Sequence, residues 1–302
     1  MLIRLKPKAL LAAQLFCGRL VAIIIVSAVI YTLVIAYRNE FMHSFRKREA
    51  TKNARNVTII VVTPTYKRKE RIGDMLRKKP AHFRLSQTLS HIRNLHWIVV
   101  EDGNSTAEVI RRLLNRSNIP YVYLATTTAP GMPKRGWTQR NLALQYLREN
   151  YSPDTDGVLY FADDDNSYDV RLFDNYIRKV KRLGIWPVGL VGGAWVEAPR
   201  VDKKGKVEGW DVLFAPRREF ATDMAGFGLH IKELFRVKNA TFEKCTKTAG
   251  FGPESCFLTQ FGFKKKDAEP FGLNEIPKDI LVWHTKTSES RGSGPLRGFV
   301  IE

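Results

Sequence analysis

Cysteine is scarce in this chain: Cys17, Cys245 and Cys256 are the three among 302 residues. None forms a CxxC pair and no Cys/His set has zinc-ligand spacing, which argues against a structural zinc site. Cys245 and Cys256 lie eleven apart, a spacing that allows a disulfide in an oxidising compartment and equally two buried thiols. Acidic charge is also short. Thirty Asp and Glu face 49 Lys and Arg, for a formal net charge of +19. Residues 1–56 hold ten Lys and Arg against two Glu, which leaves +11 to residues 57–302. An RNP-like aromatic motif and internal repeats are missing as well, so nucleic acid is not the expected partner. The excess of positive charge suits an anionic sugar, a phosphate ligand or an acidic membrane surface.

Long apolar runs are limited to one. Residues 20–37, "LVAIIIVSAVIYTLVIAY", pass eighteen positions without a charge, the length of a transmembrane helix and too long for a signal-peptide core. Arg4, Lys6, Lys8 and Arg19 precede it, and Arg38, Arg46, Lys47 and Arg48 follow it, so charge does not set its orientation. Residues 38–56 are polar and aperiodic and read as a stem. Asn56, Asn104, Asn115 and Asn239 each open an N-x-Ser/Thr sequon, a glycan acceptor if this part is luminal. The run "KRKERIGDMLRKK" (67–79) reads as a solvated charged face, with an anionic proteoglycan as the alternative partner.

From residue 57 the pattern changes. Apolar, β-branched runs at Val57–Val62, Trp97–Val100, Tyr121–Ala125, Val158–Ala162 and Val188–Val191 predict strands. Helical patterns lie between them at Leu85–Ile92, Glu108–Leu114 and Gln139–Glu149, the last with Thr138 as its expected N-cap. That alternation predicts an α/β sheet covered on both faces, with ligands beyond the carboxyl ends of its strands. "TPTY", "EDG" and "DDD" all fall there.

Asp163, Asp164 and Asp165 are the sharpest feature. Three adjacent carboxylates repel one another, and a simple solvated turn does not account for them. An acid/base pair for hydrolysis and a hard divalent cation shared with a phosphate ligand are the chemical readings. Arg135 and Arg140, at the start of the preceding helix, favour an anion beside the aspartates.

Seven segments follow in order: "VVTPTYKR" (61–68), "HWIVVEDG" (96–103), "RGWTQRN" (135–141), "YFADDDNSYD" (160–169), "WPVGLVGG" (186–193), "DMAGF" (223–227) and "LVWHTKT" (281–287). Together they resemble the Golgi β-1,3-glucuronosyltransferases of glycosyltransferase family 43, over residues 57 to 287. The resemblance implies a GT-A fold and a type II membrane topology. Residues 1–19 would be cytoplasmic, 20–37 the signal anchor in the Golgi membrane, 38–56 the stem and 57–302 the luminal catalytic domain. It also implies inverting transfer from UDP-glucuronate to the 3-hydroxyl of a terminal galactose on a proteoglycan linkage region or glycoprotein glycan, with Mn²⁺. A homodimer is implied too, its C-terminal tail "RGSGPLRGFVIE" crossing to the partner's acceptor site.

By the same resemblance Asp165 would hold the metal, Asp164 would bond the ribose, and Asp163 would pair with an arginine such as Arg140. Pro64, Thr65 and Tyr66 would wall and stack the uracil, and Asp102 would accept its N–H. Arg135, Arg140, His284, Thr285 and Lys286 would serve the anionic groups of the donor. Lys286 stands where the family has arginine, so a point charge replaces a bidentate fork. Glu197, Arg218 and Asp223 would grip the acceptor. Glu254 would be the catalytic base; Pro253 suits a first helical turn, and a helix start favours the carboxylate form. A transferase with another UDP-sugar donor and a silent glycan-binding relative are the rival readings.

Overall fold

The structure is a computed structural model that describes residues 31–32, 34–35, 37–38, 57–66, 81–245, 252–285, 294–295 and 297–300. The chain divides into two units, Met1–Asn53 and Ala54–Glu302. In the first, the described residues Tyr31, Thr32, Val34, Ile35, Tyr37 and Arg38 are helical. Most of the apolar run 20–37 and of the stem, Asn56, the charged run 67–79, Lys286 and half of the C-terminal tail lie outside the described residues. Among the described residues no helix is long and apolar enough to cross a membrane.

The second unit is built on a mixed sheet. Strands β1 (Thr58–Tyr66), β2 (Leu95–Asp102), β3 (Tyr121–Thr126) and β4 (Gly157–Phe161) are the runs read from sequence, and they pair in parallel in the order β4-β1-β2-β3. Helices α1 (Ala81–Leu89), α2 (Glu108–Arg116) and α3 (Trp137–Asn150) connect or follow them. Side chains of a strand point alternately to its two faces, and β1 is buried on both. Ile60 and Val62 join the core that includes Ala143, Leu144 and Leu147 of α3. Ile59 and Val61 join the opposite core with Leu85 and Leu89 of α1 and Ile110 and Leu114 of α2. Each such fully buried aliphatic contributes roughly 1.5–3 kcal/mol. The continuous apolar runs of β1, β2 and β4 are thus a consequence of burial on both faces.

Two expectations change. Thr138 is not the N-cap of α3. The helix starts earlier, at Trp137, with Gly136 as its left-handed N-cap residue (φ 75°), and the Thr138 hydroxyl accepts instead from Ala129 N–H at 3.1 Å. The run Val188–Val191 does not extend the main sheet. After β5 (Asn166–Tyr168) and β6 (Leu183–Ile185) it forms only β7 (Val188–Gly189), cut short by the positive φ of Leu190 and of the two glycines at 192 and 193. With β8 (Val196–Val201), β9 (Val207–Asp211) and β13 (Val282–His284), β5 and β7 make a second sheet in the order β5-β13-β7-β8-β9. The main sheet is completed by β6, β10 (Phe227–His230) and β11 (Glu269–Pro270), with β10 antiparallel to β4 and β6. Helices α4 (Ile231–Arg236) and α5 (Pro253–Thr259) follow β10. Cys245 and Cys256 are joined as a disulfide, with Cα atoms 5.6 Å apart.

Candidate active site

A cleft of about 790 Å³ opens beyond the carboxyl ends of β1, β2, β3 and β4. Its walls include Pro64, Thr65 and Tyr66 from β1, Asp102 from β2, Arg135 and Arg140 at the start of α3, and Asp163, Asp164 and Asp165 after β4. The buried β1 runs into Tyr66, whose ring is half exposed at the cleft wall, the kind of surface on which a planar ligand stacks. Asp102 accepts from Thr128 N–H (2.8 Å) and from the Thr128 hydroxyl (2.6 Å), which fixes its carboxylate at the cleft wall.

The aspartates differ in their surroundings. Asp163 pairs with Arg140, whose guanidinium is 3 % exposed and also donates to the Arg135 carbonyl at 2.8 Å. Burial pushes the Asp163 carboxyl up; Arg140 pulls it down, and Asp165, Asp223 and Asp164 push it up again, so the net shift is upward. Arg140 therefore orders the acidic turn from the cleft wall, while Arg135 is exposed in the same wall. The carbonyl of Asp165 accepts from Thr285 N–H (3.0 Å) and the Thr285 hydroxyl (2.6 Å), and its carboxylate meets no partner among the described residues. No group of three or more His, Cys, Asp or Glu side chains among the described residues could hold a metal by itself. A hard cation here would take Asp165 and complete its ligands from phosphate and water, which this donor set fits.

A second set of charged side chains sits beyond the aspartates. Asp223 accepts from Ala225 N–H at 2.9 Å and lies 3.2 Å from His284 Nε2. Burial alone would lower the His284 pKa, but the bond to Asp223 and the charges of Asp223, Asp165 and Asp163 raise it. Burial likewise works against the Asp223 carboxylate, and His284 with the Ala225 N–H holds its pKa below the usual value. Arg218 is fixed over the Phe214 ring at 5.1 Å and donates to the Ala215 and Phe214 carbonyls at 3.2 Å each. Its Nη1 lies 3.6 Å from Glu254 Oε2. Gly252 allows this approach: a Cβ there would stand 2.1 Å from Arg218 Nη1, and its φ of 88° disfavours a side chain.

Glu254 is 12 % exposed at the first turn of α5. The helix start was expected to favour its charged form. Burial outweighs this and, with the Asp223 charge, pushes its pKa up to about 8 against the opposing backbone bond, Arg218 and Arg140. Burial and Asp223 also push Glu197 up to about 7, and its Oε1 is buried with no hydrogen-bond partner. Glu197, Arg218, Asp223 and Glu254 thus share one electrostatic neighbourhood.

Sequence reasoning left out Thr127, Thr128, Lys134 and Gln139, which also line the cleft. The signals were present. Thr127 and Thr128 directly follow β3, where the strand-end rule applies, and Gln139 lies inside "RGWTQRN".

The sequence matches the model described as Glycosyltransferase family 43 over residues 85–288. The human galactosylgalactosylxylosylprotein 3-beta-glucuronosyltransferase 1 is 40 % identical over 245 residues, covering 77 % of this chain and 70 % of that one. The Caenorhabditis elegans galactosylgalactosylxylosylprotein 3-beta-glucuronosyltransferase sqv-8 is 38 % identical over 243 residues, 77 % of this chain and 65 % of its own. The human galactosylgalactosylxylosylprotein 3-beta-glucuronosyltransferase 2 is 37 % identical over 239 residues, 77 % and 70 %. A strand-end acidic cleft, a buried glutamate beside it and this level of identity agree: the chain belongs to glycosyltransferase family 43, the family of the 3-beta-glucuronosyltransferases.

Proposed function

We propose that the chain transfers glucuronate from UDP-glucuronate to the 3-hydroxyl of a galactose that ends a proteoglycan or glycoprotein glycan, on a GT-A scaffold and with inversion at the anomeric carbon. One observation carries this reading. Glu254, with a pKa pushed to about 8, shares a buried site with Arg218, Asp223 and Glu197, next to the acidic cleft. A carboxylate with so high a pKa is a strong base for an alcohol, and its proton affinity lies near working pH.

The residues divide the work as follows. Tyr66 stacks on the uracil, with Pro64 and Thr65 forming the wall, and Asp102 accepts its N–H. Asp164 accepts from the ribose. Arg135 and His284 face the diphosphate and the glucuronate, and Arg140 holds Asp163 in place. Thr285 fixes the main chain of Asp165, and Lys286 follows as a point charge. The residues fit Mn²⁺ on Asp165, which would supply neutralising charge to the departing diphosphate. Glu197, Arg218 and Asp223 hold the acceptor; the unpartnered Glu197 Oε1 is suited to a sugar hydroxyl. Glu254 removes the acceptor's 3-hydroxyl proton. The oxygen bonds to the anomeric carbon as the bond to the phosphate oxygen breaks, and that electron pair leaves with UDP.

The same reading places the catalytic unit in the Golgi lumen as a type II homodimer. The apolar run 20–37, the disulfide Cys245–Cys256 and sequons on exposed turns at Asn104 and Asn239 support a luminal setting. Asn115 suits a glycan less, because its side-chain oxygen accepts from the Tyr121 hydroxyl. The test offers the full-length chain UDP-glucuronate and Mn²⁺ with Galβ1-3Gal and Galβ1-4GlcNAc side by side. Transfer to either supports the reading and the preference assigns the acceptor. Nucleotide binding without transfer to any galactose-ended acceptor would overturn it.

A further inference from the structure

Helix α3 has a cavity at each of its ends. Its first turn frames the acidic cleft. The helix is fourteen residues, roughly 21 Å, long, and its last turn borders a second cavity of about 640 Å³. Arg148, Tyr151, Pro153, Lys232, Phe235, Arg236 and Lys238 line it, four cations with no carboxylate among them.

Two of the cations have structural duties. Arg148 sits in the last turn of α3, where the helix dipole favours a cation, and donates through Nη2 to the Ala240 carbonyl at 2.8 Å. Arg236 bonds Glu233 at 2.6 Å and the Phe261 carbonyl at 2.5 Å. These duties do not account for the whole cluster. Lys232 and Lys238 are exposed and make no ion pair among the described residues. Glu233, the carboxylate behind the wall, is itself buried and already held by Arg182 and Arg236.

The remaining wall is apolar. Tyr151 stacks on His96 at 5.9 Å between centroids and turns its hydroxyl to the His96 ring. Its ring, Phe235 and Pro153 therefore offer carbon surface, against which the C–H faces of a sugar pack. The volume lies in the range of small-molecule sites and is larger than one inorganic anion needs.

We propose that the cavity between Arg148, Lys232 and Lys238 binds a sulfate or phosphate ester carried on a sugar, as an exosite for an acidic glycan separate from the catalytic cleft. Cationic heads reaching in from two helices and the turn after α4 suit a compact anion with several acceptor oxygens. The sugar ring lies on Tyr151 and Phe235.

The test measures binding of a fluorescent, fully sulfated heparin-derived hexasaccharide to the full-length chain. Its desulfated counterpart and phosphatidylserine vesicles form parallel arms, and the comparison variant is Lys232→Glu/Lys238→Glu. We expect the sulfated probe to bind, to weaken with added salt, and to be undisturbed by saturating UDP. The variant should bind roughly tenfold more weakly while keeping its unfolding midpoint and UDP affinity. A Lys232→Gln/Lys238→Gln variant, which removes charge without reversing it, should fall between the two. Equal binding by wild type and both variants would overturn the proposal. So would equal binding of the desulfated probe, displacement by UDP, or binding to vesicles with none to the hexasaccharide. Because UDP affinity is read separately, failure here is distinguishable from failure of the transferase reading.

Discussion

At the scale of single residues, Glu254 decides most. Its carboxyl keeps its proton up to about pH 8 in the folded chain and loses it near 4.5 when exposed. Between those values the folded chain binds more protons than the unfolded one, so this group makes stability fall as pH rises through that window. Glu254→Gln should therefore raise stability at pH 8 by on the order of 2 kcal/mol, seen as a higher unfolding midpoint, while transfer falls roughly 10³-fold. Wild-type transfer should rise with pH along a limb centred near 8, since the base acts deprotonated. A glutamine variant less stable than wild type at pH 8 would contradict the burial argument. Arg140 is the second test. Arg140→Met leaves Asp163 unpaired beside two more carboxylates, and chemical denaturation should show a loss of about 3 kcal/mol. Not every residue could be read from the chain. Glu254 was visible as a helix-start glutamate, but its raised pKa comes from Asp223 and from burial by segments distant in sequence. Likewise, nothing in "RGWTQRN" distinguishes the inward Arg140 from the exposed Arg135.

At the scale of elements, β1, β2 and β4 were legible because both of their faces are dry, while β3 is half-buried along its whole length. A run such as "TIIVV" has one reading when every residue must be apolar. The second sheet was not legible. Its strands have two to six residues, and β13 joins β5 and β7 across more than ninety positions of sequence, so local pattern holds little of its pairing. The start of α3 was misread because Thr138 has the right chemistry for a cap, whereas the turn needs the left-handed Gly136. A Cβ at Gly136 would lie 2.8 Å from Pro64 and 2.9 Å from Arg140. Gly136→Ala should cost about 2 kcal/mol in denaturant unfolding and weaken UDP binding measured by calorimetry, because it displaces Pro64 and Arg140 in the cleft wall. The element that presents Glu254 is tied down by the disulfide, since Cys256 lies in the same short helix. Replacing Cys245 and Cys256 by serine opens a loop of eleven residues. It should lower stability by roughly 3 kcal/mol in thermal unfolding, with kcat falling more than donor KM.

At the scale of the whole molecule, the mixed sheet gathers the ends of β1, β2, β3 and β4 and the start of α3 into one charged cleft. The family identity agrees with what the carboxylates and arginines need chemically. In the proposed reaction a nucleotide diphosphate leaving group calls for positive charge and an alcohol nucleophile for a base, the roles proposed for the cleft and for Glu254. The seven ordered motifs made the family readable in advance, and most of them lie at strand ends or turns, where ligands bind in such sheets. The net charge of +19 was visible too, but its gathering into a second cavity at the far end of α3 appears only when the chain is folded. The measurement that tests the central claim most directly is proton NMR of the product formed from UDP-glucuronate and Galβ1-3Gal. The account predicts glucuronate on the 3-oxygen of the terminal galactose, with anomeric configuration opposite to the donor's, and essentially none from Glu254→Gln. Retained configuration, another linkage position, or equal product from the glutamine variant would contradict it.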